Sequence, residues 1–330
     1  MKYKKANTDW MAESKFGIST HWSVKTMPQK GENRSFAEAV ENFDVKRFIG
    51  QIGESGADYL IFTTTHMGGY YFPGPVKAVE KIIPSRAMKR DLIGEIAQAM
   101  KKQGKRFILY YNLRSDPEWE TAMGYYHPSS FEPFIENLCS VVGGISGHYA
   151  GLLDGWWFDC GYCVDTRGAA GATAPFLEGK KYEFPWDKLT VAAKKGGNNI
   201  LVAYASGMSQ CAPEDDCIYT EHQDYWDGER NITTGDEIYP LTKVLLVPTG
   251  RRLFNGLQWH QWTCLDNRAW NHILKDTAAH DPLYTEDEVY EFIKICGEKK
   301  AAITFNVEIF QEGLISDKAI NFLSRISRRL

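Results

Sequence analysis

Two hydrophobic periods alternate along this chain, and the alternation limits it to a small set of α/β architectures. Short runs rich in β-branched and aromatic residues give way to longer segments with apolar residues at i, i+3, i+4 and i+7, the pattern of repeated βα units. Phe16–His21, Asp58–Thr65, Arg106–Asn112 and Gly155–Asp159 read as four strands, and Asn199–Tyr204, Cys217–Thr220, Leu257–Gln261 and Ala301–Asn306 bring the set to eight. Between them, Val45, Phe48, Ile49 and Ile52 make a helical stripe that stops at Gly56. Asp91 caps a second stripe of Leu92, Ile93, Ile96, Ala97 and Met100, while Phe131, Phe134, Ile135 and Leu138 make a third that ends at Gly143 and Gly144. Val289, Phe292, Ile293 and Cys296 form a helix before the last strand, and residues 164–182 read as a long loop. Near-continuous apolar strands such as Tyr59–Phe62 suit a parallel sheet covered by helices. The expected fold is therefore α/β: a single (β/α)8 barrel of the TIM type over residues 1–330.

Such barrels place their chemistry at the C-terminal ends of the strands. Those ends carry His21, His66, Tyr111, Asn112, Asp159, Glu221, His260 and Asn306, a polar set capping apolar strands. Asp159 stands out, because an acid that ends the apolar run Trp156-Trp157-Phe158 bears a desolvation cost unless it has a task there. Its plainer reading is a helix N-cap, but the adjacent tryptophans favour a sugar site, since aromatic faces grip the apolar faces of sugars. His21, His66 and His260 each lie near an aromatic residue, Trp22, Tyr70 and Trp262 respectively. A metal-dependent hydrolase would need an HxH pair ending the first strand, whereas only His21 is present there. Glycoside hydrolysis needs a second carboxyl group across the scissile bond. Of the many acids between Glu214 and Glu237, Glu221 and Glu229 are the two candidates, the rest reading as a solvated loop face.

Bulk properties narrow the partners. A net charge of -4 arises from interspersed charges with no long basic run, which disfavours nucleic acid. No apolar stretch approaches the roughly 18 residues of a membrane span, and no apolar segment follows the charged N-terminus as in a secretion leader. The expected location is cytoplasmic for the chain as it stands, and periplasmic or secreted if a leader preceded it. Seven scattered cysteines read as free thiols, and the Cys160-Gly-Tyr-Cys163 spacing lacks the further ligands of a zinc site, so no metal or other cofactor is expected.

Several stretches resemble family 29 glycoside hydrolases, the α-L-fucosidases. Lys15-Phe-Gly-Ile-Ser-Thr-His-Trp22 is similar to the family's KFGIFIHWG, residues 55–70 to AGAKYVVLTAKHHDGF, Arg90-Asp91-Leu92 to RDLV, Phe107–Asn112 to FGLYYS and Trp157-Phe-Asp159 to WFDG. Thr304–Val307 with Gly313 resembles the segment near the end of the catalytic domain. The resemblance implies a barrel without the family's C-terminal β-sandwich, acting as a retaining exo-α-L-fucosidase on a carbohydrate. It implies Asp159 as nucleophile, with Trp157, His21, His66 and Tyr111 around the sugar. Asp224-Tyr-Trp-Asp-Gly-Glu229 resembles DFTTPE, which favours Glu229 over Glu221 as acid/base. Trp22, His260 and Trp262 complete the expected binding set. Met67 replaces a family histidine, a Glu-Trp-Tyr segment is missing from residues 27–36, and Ala205-Ser206 stand where an arginine follows strand five. A different α-configured sugar such as L-galactose, or a sugar-binding barrel without catalysis, are the alternatives that these departures leave.

Overall fold

The computed structural model describes residues 3–63, 65–66, 69–166, 174–205, 220–229, 233–234, 237–238, 241, 252–254, 256–266 and 270–330. Seven strands form one curled, all-parallel sheet: β1 Gly17–Thr20, β2 Tyr59–Thr63, β3 Arg106–Asn112, β4 Gly155–Asp159, β5 Leu201–Tyr204, β6 His260–Cys264 and β7 Ala302–Asn306. They lie in the order β6-β7-β1-β2-β3-β4-β5, so consecutive strands pair side by side except β5 and β6, which form the two edges, and β7 pairs back onto β1.

Strand pleating sorts the side chains into two layers, since successive residues point to opposite faces. Tyr59, Ile61, Ile108, Tyr110, Trp157 and Trp262 meet inside the curl, whereas Leu60, Phe62, Leu109, Tyr111, Trp156 and Phe158 face the helices. The helix Val45–Ser55 buries Phe48, Ile49 and Ile52, begins at Asp44, which accepts the Arg47 N–H, and ends at Gly56 with φ +80. Leu92–Lys102 starts on the Asp91 cap as its sequence suggests. The third helix does not stop at Gly143 and Gly144 but runs Glu132–His148. Gly144 serves close packing instead: a Cβ on it would lie 2.5 Å from the Ala78 Cβ of the neighbouring helix.

The far side of the sheet departs most from expectation. Of the expected sixth strand, Cys217–Tyr219 lie outside the described residues and Thr220 is not in a strand. Leu257 and Gln258 pair antiparallel with Leu253 and Phe254 around Gly256, and the sheet strand begins only at His260. Between β5 and β6 runs the extended segment Asp224–Glu229. Asp224 N–H donates to the Val202 carbonyl at 2.8 Å, Gln258 N–H to Asp224 at 3.1 Å, Trp226 N–H to Gln258 at 3.0 Å and Trp262 N–H to Gly228 at 2.8 Å. The segment thus bonds to both edges of the seven-stranded sheet. Lys194 and the Asp224 carboxylate anchor its start as a fully buried ion pair at 2.7 Å, and Asp224 also accepts the Val202 N–H at 3.0 Å.

Candidate active site

Where the strands of the curl end, nine side chains enclose a cavity of about 130 Å3: His21, His66, Tyr110, Trp157, Asp159, Tyr162, Glu229, Trp262 and Trp270. Asp159, the last residue of β4, is fixed at both oxygens. The Tyr110 hydroxyl donates to Oδ2, and the Cys160 N–H donates to Oδ1 at 2.6 Å. Burial, and then the nearby Asp159 charge, push the Tyr110 phenol far above its ordinary pKa, so it remains a donor across the physiological range. Tyr110 stacks on Trp157 at 5.1 Å, and Trp157 meets the edge of Trp262 at 4.3 Å.

A chain of polar groups supports this aromatic wall. Trp262 Nε1 donates to Ser19 Oγ at 2.5 Å, Ser19 Oγ donates to Asn306 Oδ1 at 3.1 Å, and the Asn306 amide donates to the Trp270 carbonyl at 3.0 Å. Asn306 Oδ1 can only accept, so His21 Nδ1, 2.7 Å away, carries the proton. Burial, and then neighbouring His66, hold His21 well below the usual imidazole range and hence neutral. Its other nitrogen is then an acceptor suited to a sugar hydroxyl. His66 is likewise lowered, mainly by burial, with Asp159 opposing.

Glu229 ends the segment that lies alongside β6, and its bridge partner there is Trp262. Desolvation first, then the charges of Asp159 and Asp227, raise its carboxyl well above the ordinary carboxylate range. One pocket therefore joins a doubly hydrogen-bonded aspartate to a glutamate whose buried carboxyl is biased towards its protonated form. A carboxyl group whose surroundings favour its protonated form, set beside a carboxylate site fixed by two hydrogen bonds, is suited to acid–nucleophile chemistry.

A sequence profile described as Alpha-L-fucosidase matches residues 35–330. The chain belongs to the α-L-fucosidase family. Human tissue α-L-fucosidase is 28% identical over 153 residues, 36% of this chain and 30% of that protein. The Caenorhabditis elegans putative α-L-fucosidase is 27% identical over 160 residues, 36% of this chain and 29% of its own length. The chain thus matches about a third of the length of these curated relatives. Among solved structures, an endo-fucoidan hydrolase of glycoside hydrolase family 107 superposes with a TM-score of 0.68 at 14% identity, over 98% of this chain and 53% of that one. The Lactobacillus casei α-L-fucosidase bound to α-L-fucose gives 0.59 at 16% identity, over 98% of both chains. At these identities the two superpositions speak to fold.

Within this family fold, six of the ten site residues expected from sequence line the pocket: Asp159, Glu229, His21, His66, Trp157 and Trp262. Four do not. Tyr111 faces the helices and packs on Tyr70, Trp156 and Phe158, while Tyr110 takes the position at the site. Trp22 lies among Phe36, Phe43 and Phe62, its indole N–H donating to the Gln311 carbonyl at 3.1 Å. His260 opens β6 rather than ending a strand. Buried below the pocket, it reaches Thr304 Oγ1 at 2.8 Å and the Asp227 carbonyl at 2.9 Å, holding the segment that carries Glu229. Glu221 is exposed beside the N-terminal segment, where Lys5 Nζ donates to its carbonyl.

Tyr110, Tyr162 and Trp270 were not expected at the site. Pleating alone identifies Tyr110, because Tyr110 pairs with Trp157 in register and Asn112 with Asp159. Trp270 sits in a loop at φ +64, beyond the reach of strand periodicity.

Proposed function

We propose that this chain is a retaining, exo-acting glycoside hydrolase of α-L-fucosidase type. The observation that carries the reading is the meeting of Asp159 and Glu229 in one small pocket, where burial raises the Glu229 carboxyl. In the first step an Asp159 oxygen attacks the anomeric carbon while Glu229 gives its proton to the departing glycosidic oxygen. The product is a glycosyl ester on Asp159. Glu229, now a carboxylate, then takes a proton from water as that water attacks the same carbon, freeing the sugar with retained configuration and restoring both groups.

Pocket size supports removal of a single terminal sugar, since about 130 Å3 is well below the roughly 300–1,000 Å3 of sites for larger ligands. His21 and His66 supply polar contacts to ring hydroxyls, and Trp157, Trp262 and Trp270 supply apolar faces. Segment Asp224–Glu229 takes the place of the remaining strand in this reading, so that the sheet closes as an eight-membered barrel.

Turnover of 4-nitrophenyl α-L-fucopyranoside, with α-L-galactoside and β-D-galactoside analogues alongside, tests the proposal. Asp159→Ala should abolish turnover, and Glu229→Ala should regain rate with added azide. Inversion at the anomeric centre, read by proton NMR of the first-formed sugar, would exclude the two-step route. Sugar binding without turnover of any glycoside would make the chain a binding barrel instead.

A further inference from the structure

The Cys160-Gly-Tyr-Cys163 motif is not used by the hydrolytic steps, yet it follows the nucleophile directly. Cys160 adopts φ +60, and residues Gly161–Cys163 form a single 3-10 turn closed by the Cys163 N–H donating to the Cys160 carbonyl at 3.0 Å. A turn of this kind keeps its end Cα atoms within about 7 Å. Disulfides span about 4.4–6.8 Å between Cα atoms. Both cysteines are partly exposed, and their thiols lie close enough to influence each other. Among the described residues, no set of three His, Cys, Asp or Glu side chains is arranged to hold a metal ion. Of the two residues between them, Tyr162 lines the pocket: Cys160 Sγ lies 3.7 Å from the Tyr162 hydroxyl, and Cys160 N–H holds Asp159.

We propose that Cys160 and Cys163 are a redox modification site, a dithiol whose conversion to a disulfide reshapes the pocket around Asp159 and Tyr162. The two thiols differ in character. The Cys160 thiol first, and the Arg114 guanidinium after it, lower the Cys163 pKa against the effect of burial, whereas the Cys163 thiol, with burial next, raises Cys160 far above the ordinary range. Cys163 is thus the attacking thiolate. It displaces one thiolate from a small-molecule disulfide and forms a mixed disulfide. Cys160 then loses its proton and attacks the Cys163 sulfur, releasing the second thiol. Two protein thiols are oxidised by two electrons, and one external disulfide is reduced to two thiols.

Closing the bond draws the sulfurs together to about 2.04 Å. Cys160 supplies the N–H that fixes Asp159, and a misplacement of roughly an ångström costs on the order of 100-fold in rate. The effect on turnover rests on the proposed hydrolase reading; formation of the disulfide does not.

The test incubates the full chain with oxidised glutathione, counts free thiols, maps the 160–163 peptide by mass spectrometry and measures kcat/KM before and after dithiothreitol. The expected result is a Cys160–Cys163 disulfide, kcat/KM lowered on the order of 100-fold and recovery on reduction. Cys163→Ser and Cys163→Ala should keep the reduced enzyme's activity and lose its sensitivity. If the wild-type chain turns over no glycoside, fucose binding followed by tryptophan fluorescence replaces kcat/KM. Absence of the disulfide overturns the proposal, as does a disulfide that leaves turnover and binding unchanged or equal inactivation of the Cys163 variants.

Discussion

Gly228 precedes Glu229 at φ +69, and a Cβ there would stand 2.4 Å from the His260 carbonyl oxygen and 2.7 Å from its carbon. Gly228→Ala therefore has two costs, about 1–2 kcal/mol for the left-handed backbone and about 1–3 kcal/mol for forcing atoms into a filled site. Together these destabilise the fold by about 2–5 kcal/mol. With an unfolding entropy near 2.1 cal/mol/K per residue, a chain of 330 residues loses about 0.7 kcal/mol of stability per kelvin near its midpoint, so Tm should fall by roughly 3–7 °C. The clash also pushes the 224–229 segment away from β6. Displacing Glu229 by about an ångström should lower kcat/KM on the order of 100-fold. Differential scanning calorimetry through the transition and steady-state kinetics below it read the two effects separately. Gly144→Ala is the control: its Cβ would meet Ala78 at 2.5 Å in the helix layer, away from the pocket, and turnover should be unaffected. A Gly228→Ala enzyme with wild-type Tm and kcat/KM, or a Gly144→Ala enzyme with equally damaged turnover, would refute this reasoning.

Exchanging Glu229 for Gln should lower kcat on the order of 10²–10⁴-fold while leaving the fold intact, as kinetics and circular dichroism would show. Because the folded state raises the Glu229 pKa, activity should decline as pH rises through that raised value, and so should stability. The stability of Glu229→Gln should therefore fall less as pH rises from the ordinary carboxylate pKa to the raised value. Tyr110→Phe should change the pH–rate profile and kcat, whereas Tyr111→Phe should alter neither; equal effects would mean that the register of β3 is misassigned. Lys194→Met leaves the Asp224 carboxylate buried without its cation and should destabilise by about 3–5 kcal/mol in urea titration.

Strand and helix order was legible because burial imposes a period wherever an element has one apolar face. Asp159 and Trp157 were legible for that reason and through the family motif. Tyr111 was mistaken for Tyr110 because both are aromatic and buried, and a slip of one residue exchanges the two faces of a strand. Trp22 follows a strand end, yet the chain turns there and sends the indole into the helix layer. His260 was misplaced because the apolar run from Leu257 spans two elements, a hairpin arm and the start of β6, and periodicity does not mark their boundary. Glu229 could be favoured over Glu221 only by motif, since its segment is held by hydrogen bonds to strands far away in sequence.

That segment gives the molecule a particular mode of failure. Asp159 is built into the continuous part of the sheet, while Glu229 rides on the seam where β5 and β6 are stitched together through Asp224, Trp226 and Gly228. Asp159 and Glu229 thus belong to parts of the sheet held together in different ways. Opening the seam would carry Glu229 away while most of the sheet, and the wall of Trp157 and Tyr110, kept their shape. Should heat or denaturant open the seam first, the Asp159–Glu229 pairing is lost before the bulk of the structure melts.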